Sequence, residues 1–422
     1  MNNTYRRSIE VYMHALGFAR PTFIGVLYAT VSRGKEIFAF EYNNNWLAGG
    51  AQQLDPSLQL FPGLHYASQE SENFGIFLDS SPDRWGRFLM VRHEAQLARE
   101  EKRKEHLLLE SDYLLGVYDA HRLGALRFCT DPAGPFLDNN KALASPPWTS
   151  LRELERASLG LEKDDSENNP HYSKWLKMLV VPGSSLGGAR PKASVIDRHQ
   201  QLWIAKFPSQ QDEQDVGAWE MLVNNLAKRA KVSVAEAALQ KFNGRHHTFL
   251  TKRFDRIRSD QRIHFASAMT LLQRFDGDDA STGISYLELA EFIIQHGAQV
   301  NRDLEQLWRR IIFFICVSNV DDHLRNHGFL LSPNGWVLSP AFDINPVANG
   351  NGLKLNISES DNAQDLSLAK EVAEYFRVQP GKANRIIREV TKTVKTWREE
   401  ANSLGISATE QKRMARAFRV VL

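Results

Sequence analysis

Asn319-Val-Asp-Asp-His-Leu-Arg-Asn326 follows, one residue on, the apolar run Ile311-Ile-Phe-Phe-Ile-Cys-Val317. The run reads as the end of a buried helix, which gives the polar segment after it a fixed starting point. Asp321 and Asn326 are separated by five positions. A carboxylate held there can accept the proton of an incoming hydroxyl, and an amide oxygen five residues on can ligate a hard cation such as magnesium. Asp321 and Asp322 are adjacent, and the spacing to Asn326 selects Asp321 as the base. The competing reading of the segment is a polar turn at a helix C-terminus.

Working outward, a phosphoryl-transfer site also needs donors for phosphates, a cation on a rigid element and a second metal ligand. Upstream, Pro182-Gly-Ser-Ser-Leu-Gly-Gly-Ala-Arg-Pro-Lys192 can bring backbone N–H groups close to an anion. It is neither a GxxxxGK[ST] nor a GxGxxG motif, and taken alone it reads equally as a turn between two strands. Next comes Trp203-Ile-Ala-Lys-Phe, where Lys206 on an apolar strand could reach α- and β-phosphates, or snorkel from a half-buried strand. Glu220, on the helix that follows, is either a partner for that lysine or an exposed glutamate. Downstream, Asp343 in Leu338-Ser-Pro-Ala-Phe-Asp-Ile-Asn-Pro is the candidate second metal ligand. It follows the pair Gly328-Phe-Leu-Leu and Trp336-Val-Leu, which Ser332-Pro-Asn-Gly joins with hairpin turn chemistry. His323 could contact phosphate or orient its loop. His246, His247 and His264 read as turn or surface histidines, with no carboxylate or cysteine at metal spacing.

The remaining sequence is consistent with this order. The Asp-x4-Asn separation equals that of protein-kinase catalytic loops. Short β-leaning runs such as Phe23-Ile-Gly-Val-Leu-Tyr and Ile37-Phe-Ala-Phe-Glu-Tyr predict a small antiparallel sheet near the N-terminus. Helical patterns cover 83–110, 284–296, 302–318, 363–376 and 382–400, so the second half reads as mainly helical. The expected fold is α+β: a two-lobed, protein-kinase-like fold with a small N-terminal β-rich subdomain and a mainly helical C-terminal lobe. Divisions are expected as 1–145, an N-terminal subdomain and the start of the N-lobe; 146–256, the ATP-binding part; and 257–422, the C-lobe with its catalytic loop.

With 422 residues, 42% apolar and 24% charged, the chain can build more than one core at about 150 residues per domain. A net charge of +2 gives no global field for nucleic acid or anionic membranes. Cys129 and Cys316 form no disulfide or zinc spacing, and Met1-Asn-Asn-Thr-Tyr-Arg-Arg-Ser lacks the apolar stretch of a signal peptide. A cytoplasmic protein without a membrane partner is expected.

Four blocks, Ser185-Leu-Gly-Gly-Ala-Arg-Pro-Lys192, Arg253-Phe-Asp-Arg256, Asn319 to Asn326 and Ser339-Pro-Ala-Phe-Asp343, resemble in order the signature segments of the HipA-type serine/threonine kinases. These kinases are toxins of bacterial toxin–antitoxin pairs. Gly25-Val-Leu, Phe40-Glu-Tyr and Leu78-Asp-Ser-Ser-Pro-Asp-Arg-Trp-Gly resemble the N-terminal subdomain of that family, so the likeness covers nearly the whole chain. It implies Asp321 as catalytic base, Asn326 and Asp343 as magnesium ligands, and Lys206 with the loop of Ser185, Gly187 and Gly188 at the ATP phosphates. It further implies Lys252 and Phe254 at adenine through their backbones, Asp255 near the ribose, and Ser185 as a site of autophosphorylation that ejects its loop.

The implied cofactors are ATP and Mg2+. The implied partners are a translation-related protein substrate, such as an aminoacyl-tRNA synthetase, and a small helix-turn-helix antitoxin with its operator DNA. Two departures stand out: Arg190-Pro in the glycine-rich block, and His264-Phe-Ala-Ser without the acidic residue that often follows that histidine in the family. The rival readings are a non-catalytic nucleotide-sensing partner or co-repressor, and a small-molecule phosphotransferase.

Overall fold

Alternation decides the first strand. In Arg6–Met13, Ile9, Val11 and Met13 are buried while the residues between them are not, which is the period-2 pattern of a strand with one face on a core. It lies in a five-stranded antiparallel sheet in the order Leu64–Tyr66, Lys35–Tyr42, Thr22–Ser32, Arg6–Met13, Leu126–Cys129. At Gly25 a Cβ would sit 2.3 Å from the Glu41 carbonyl oxygen, so only glycine permits that strand approach. Phe40, Phe74, Phe77 and Phe128 fill the core of the sheet.

This computed structural model describes residues 6–421 apart from 33, 51, 133, 138–145, 164–165, 182–187, 243 and 258–260. The chain divides into two compact units, residues 1–210 with 255–266 and residues 211–254 with 267–422.

The first unit contains the five-stranded sheet, the helix Arg84–Glu100, the helices Leu151–Leu161 and Tyr172–Val180, and a hairpin of Lys192–Ile196 with Leu202–Lys206. Asp83 caps the helix Arg84–Glu100 by accepting from the Gly86 N–H at 2.7 Å. The charged run after that helix is exposed, as a solvated face should be.

The second unit is mainly helical. It begins with the helix Val216–Arg229 and the antiparallel pair Ala237–Gln240 and Thr248–Lys252. Its centre is the helix Val300–Val317, buried along almost its whole last three turns. Beside that helix, Trp397 stacks on Phe418 with centroids 4.4 Å apart and Trp219 lies against both rings. The hairpin read from Ser332-Pro-Asn-Gly is present as Gly328–Ser332 paired with Gly335–Leu338.

Two helices are shorter than their sequence patterns. The 382–400 pattern divides into Pro380–Val394 and Trp397–Ser403. Thr391, Thr393 and Thr396 there return their hydroxyls to the carbonyls of Ile387, Glu389 and Thr393, a habit that bends and interrupts helices. The 363–376 pattern starts only at Leu366, after the Asp365 cap, and tightens to a 3-10 turn at Ala373–Phe376. Among the described residues, no helix is long and apolar enough to cross a membrane.

Candidate active site

The Asn319–Asn326 segment leaves the helix Val300–Val317 through Ser318, a non-glycine residue at φ 51°. The left-handed turn is fastened from the C-terminus of the chain. Ser318 Oγ donates to the Ala417 carbonyl at 2.7 Å, and Arg419 reaches both Ser318 Oγ and the Gly350 carbonyl. A Cβ on Gly350 would come within 2.6 Å of Val320, so this glycine seats the start of the loop.

From that anchor the two adjacent acids diverge. Asp321 is exposed, whereas Asp322 is 1% exposed. Asp322 Oδ2 accepts from the Tyr286 hydroxyl at 2.5 Å and lies 2.8 Å from His327 Nε2. The fully buried Arg310 guanidinium adds a favourable charge interaction with Asp322 and donates to the Ser339 carbonyl at 2.8 Å. Burial and then the Asp322 charge push the Tyr286 hydroxyl pKa well up, and burial pulls Arg310 down to about 10. Asp322 therefore has the surroundings of a structural acid. Asp321 has those of a group that can meet a substrate.

Asn326 Nδ2 donates to the Asp321 carbonyl at 2.9 Å. That bond fixes the amide orientation and leaves Oδ1 as its ligating pole. The Asn326 N–H donates to the His323 carbonyl, and His323 Nδ1 is a buried atom with no hydrogen-bond partner among the described residues. Asp343, at φ 56°, accepts from Asn345 Nδ2 at 3.3 Å, while the Asn345 N–H donates to Asn319 Oδ1 at 3.0 Å. The second unit thus brings Asp321, His323, Asn326 and Asp343 onto two segments joined by side-chain hydrogen bonds.

The two candidate metal ligands are both oxygen donors: the Asp343 carboxylate and the Asn326 amide oxygen. No cluster of three or more His, Cys, Asp or Glu is placed to hold a metal among the described residues. A carboxylate and an amide oxygen are what magnesium accepts when nucleotide phosphates and water complete its shell, so the residues fit that ion.

Also in the second unit, Phe254 packs on Phe342, next to Asp343, with centroids 5.5 Å apart. The Lys252 N–H donates to the Glu236 carbonyl at 2.8 Å. Glu220 is 4% exposed, so the exposed-glutamate reading fails.

The first unit carries Lys206, half-buried at the end of its strand, and Gly188 at φ 92°. Ser185 and Gly187 lie outside the described residues. Asp255 is 1% exposed; it pairs with Arg256 at 2.7 Å and accepts from the Gly124 N–H at 2.8 Å.

Lys192 is the residue that sequence reasoning passed over. The hairpin register sets it opposite Lys206, so the two lysines share one face. It is 2% exposed, and its ammonium donates to Asp83 and to the Gly188 carbonyl, each at 3.0 Å. The available signal was the alternating run Lys192-Ala-Ser-Val-Ile before a turn.

The histidine readings need correction. His246 and His264 are buried, and His247 Nδ1 lies 2.5 Å from Asp215 Oδ2, the cap of the helix Val216–Arg229. The partner carboxylate lies 32 positions upstream, beyond any local spacing rule.

The HipA-like C-terminal domain model matches residues 184–397, half of the chain. The chain belongs to the HipA family. That span begins at the glycine-rich block and contains Lys206, Asp321, Asn326 and Asp343. A Haemophilus influenzae protein named "Putative kinase" is 29% identical over an alignment of 247 residues that covers 53% of this chain and 69% of that protein. HipA of Shewanella oneidensis MR-1, solved in a complex with HipB and its operator DNA, superposes with a TM-score of 0.67 at 17% identity. The match covers 98% of this chain and 96% of that one, and it establishes the α+β, two-lobed HipA fold for this chain.

Proposed function

We propose that this chain is a Mg-ATP-dependent serine/threonine protein kinase and the toxin of a toxin–antitoxin pair. The observation that carries the reading is the divergence of the two acids: Asp322 is buried against Tyr286 and His327, and Asp321 stands exposed beside an Asn326 amide whose oxygen is left for a cation. Asp321 accepts the proton of the acceptor hydroxyl as that oxygen bonds to the γ-phosphorus, the bond from that phosphorus to the β–γ bridging oxygen breaks, and ADP leaves. Asn326 and Asp343 would hold magnesium, which when bound neutralises charge on the phosphates. Lys206 and the backbone around Gly188 bind phosphate oxygens, and Lys192 holds that backbone through the Gly188 carbonyl. His323 donates from Nδ1 to a phosphate.

Adenine is held by the backbone at Lys252 and Phe254. Asp255 is committed to Arg256 and Gly124, so we assign it to shaping the loop after that strand rather than to direct contact with the ribose. Ser185 is the autophosphorylation site, and a translation-related protein is the external substrate, with an aminoacyl-tRNA synthetase the first candidate to test. The restraining partner is a small DNA-binding antitoxin; the Shewanella complex with HipB and operator DNA supports that assignment.

The test is to incubate the purified protein with labelled ATP, Mg2+ and a bacterial lysate, and to map the label by mass spectrometry. Label on Ser185 and on a discrete lysate protein is expected. A protein that binds ATP yet labels neither itself nor any lysate protein removes the kinase reading.

A further inference from the structure

Asn345 has no role in the reaction as described above, yet it is the residue through which the two metal-ligand segments meet. Its N–H donates to Asn319 Oδ1 at 3.0 Å, at the start of the loop that carries Asp321 and Asn326. Its Nδ2 donates to Asp343 Oδ1 at 3.3 Å. Its own Oδ1 is a buried acceptor without a donor among the described residues. Asp343 sits at φ 56°, a backbone region that non-glycine residues occupy only when neighbours hold them there, and Asn345, two positions on, supplies such a hold.

An amide with its donor end on a ligating carboxylate and its acceptor end unmet has the polarity of an outer-sphere partner. The donor end orients the carboxylate, and the acceptor end can receive a proton of a water bound to the ion. Magnesium keeps several waters when it binds, so such an acceptor has a natural occupant.

We infer that Asn345 is a positioning residue for the divalent cation, orienting Asp343 through Nδ2, tying it to the catalytic loop through Asn319, and accepting from a metal-bound water through Oδ1. The inference rests on the kinase reading of Asp343 as a metal ligand. Loss of an outer-shell partner typically weakens a metal site about 10- to 100-fold.

The decisive readout is Mn2+ affinity, followed by the electron paramagnetic resonance of free Mn2+ in the presence of a non-hydrolysable ATP analogue, together with thermal melting. Asn345→Ala is expected to weaken Mn2+ binding about 10- to 100-fold. Its affinity for the analogue without metal should stay at the wild-type value. Asn345→Leu, similar in volume and without polar atoms, should repeat the loss if the alanine variant fails to fold. A purely structural role would lower the melting temperature and leave the Mn2+ affinity of the folded protein unchanged; that result overturns the inference alone. Wild-type protein that binds no Mn2+ with the analogue overturns the magnesium reading itself, and this inference with it.

Discussion

In the first unit, buried and half-buried cations meet carboxylates: Lys192 meets Asp83, Arg256 meets Asp255, and the half-buried Arg127 and the buried Arg262 share Asp119. In the second unit, Asn326 and Asp343 meet neutral groups, the Asp321 carbonyl and the Asn345 side chain, and the Asn345 N–H in turn meets the Asn319 amide oxygen, while the Arg310 and Arg419 guanidiniums bear on the same loop. A charge compensated by another charge is costly to lose, because removing one partner leaves the other buried and unpaired. A carboxylate oriented through backbone and amides can be removed with little cost to folding. The first unit is therefore sensitive to the loss of one member of an ion pair, and the second sets an exposed acid, Asp321, beside a buried one, Asp322.

The strongest challenge to this contrast is Asp83→Ala. It strands the Lys192 ammonium, and chemical denaturation should show a loss of about 3–5 kcal/mol. The double variant Asp83→Leu/Lys192→Met should recover most of it, since an apolar pair of similar volume replaces a buried ion pair at little cost. An unaffected Asp83→Ala protein would dissolve the distinction between the units.

A somewhat smaller effect is expected from pH. Burial lowers the His264 pKa to about 4 from an ordinary 6.5. The folded state then binds fewer protons than the unfolded one, so the contribution is fully present above pH 6.5 and is lost as pH falls towards 4. The loss should reach about 3 kcal/mol at its fullest. Denaturation midpoints between pH 7 and pH 4 for wild type and His264→Phe measure it, and the variant should lose that part of the slope.

Smaller again is Tyr286→Phe. It removes the hydroxyl that donates to Asp322 without opening a cavity, and should cost about 1.5–3 kcal/mol, the range for a hydrogen bond to a charged group. A neutral outcome would mean that Asp322 is held by His327 and Arg310 alone.

What could be read from the sequence was local. Asp321 and Asn326 lie five positions apart on one loop, the hairpin after them announces itself in Ser332-Pro-Asn-Gly, and the strands near the N-terminus show in their β-leaning runs. What could not be read depends on distant pairings. Asp83 and Lys192 are 109 positions apart, and Asp119 and Arg262 are 143 apart. The burial of His264 and the partnership of His247 with Asp215 likewise arise only once the chain is folded. Spacing selected Asp321 over Asp322, but the physical reason for the difference, Tyr286 and His327 around the second acid, lies outside the motif on one side and at its edge on the other.

The most direct test sets Asp321→Ala beside Asp322→Ala and measures the Mg-ATP phosphotransfer rate and the unfolding free energy of both. Asp321→Ala should lose about 10²- to 10⁴-fold in rate. Its stability should stay within about 0.5 kcal/mol of wild type, because its backbone carbonyl still holds Asn326. Asp322→Ala should lose about 3–5 kcal/mol of stability. A near-normal rate in Asp321→Ala, with Asp322→Ala stable and inactive, would exchange the roles of the two acids and contradict the account.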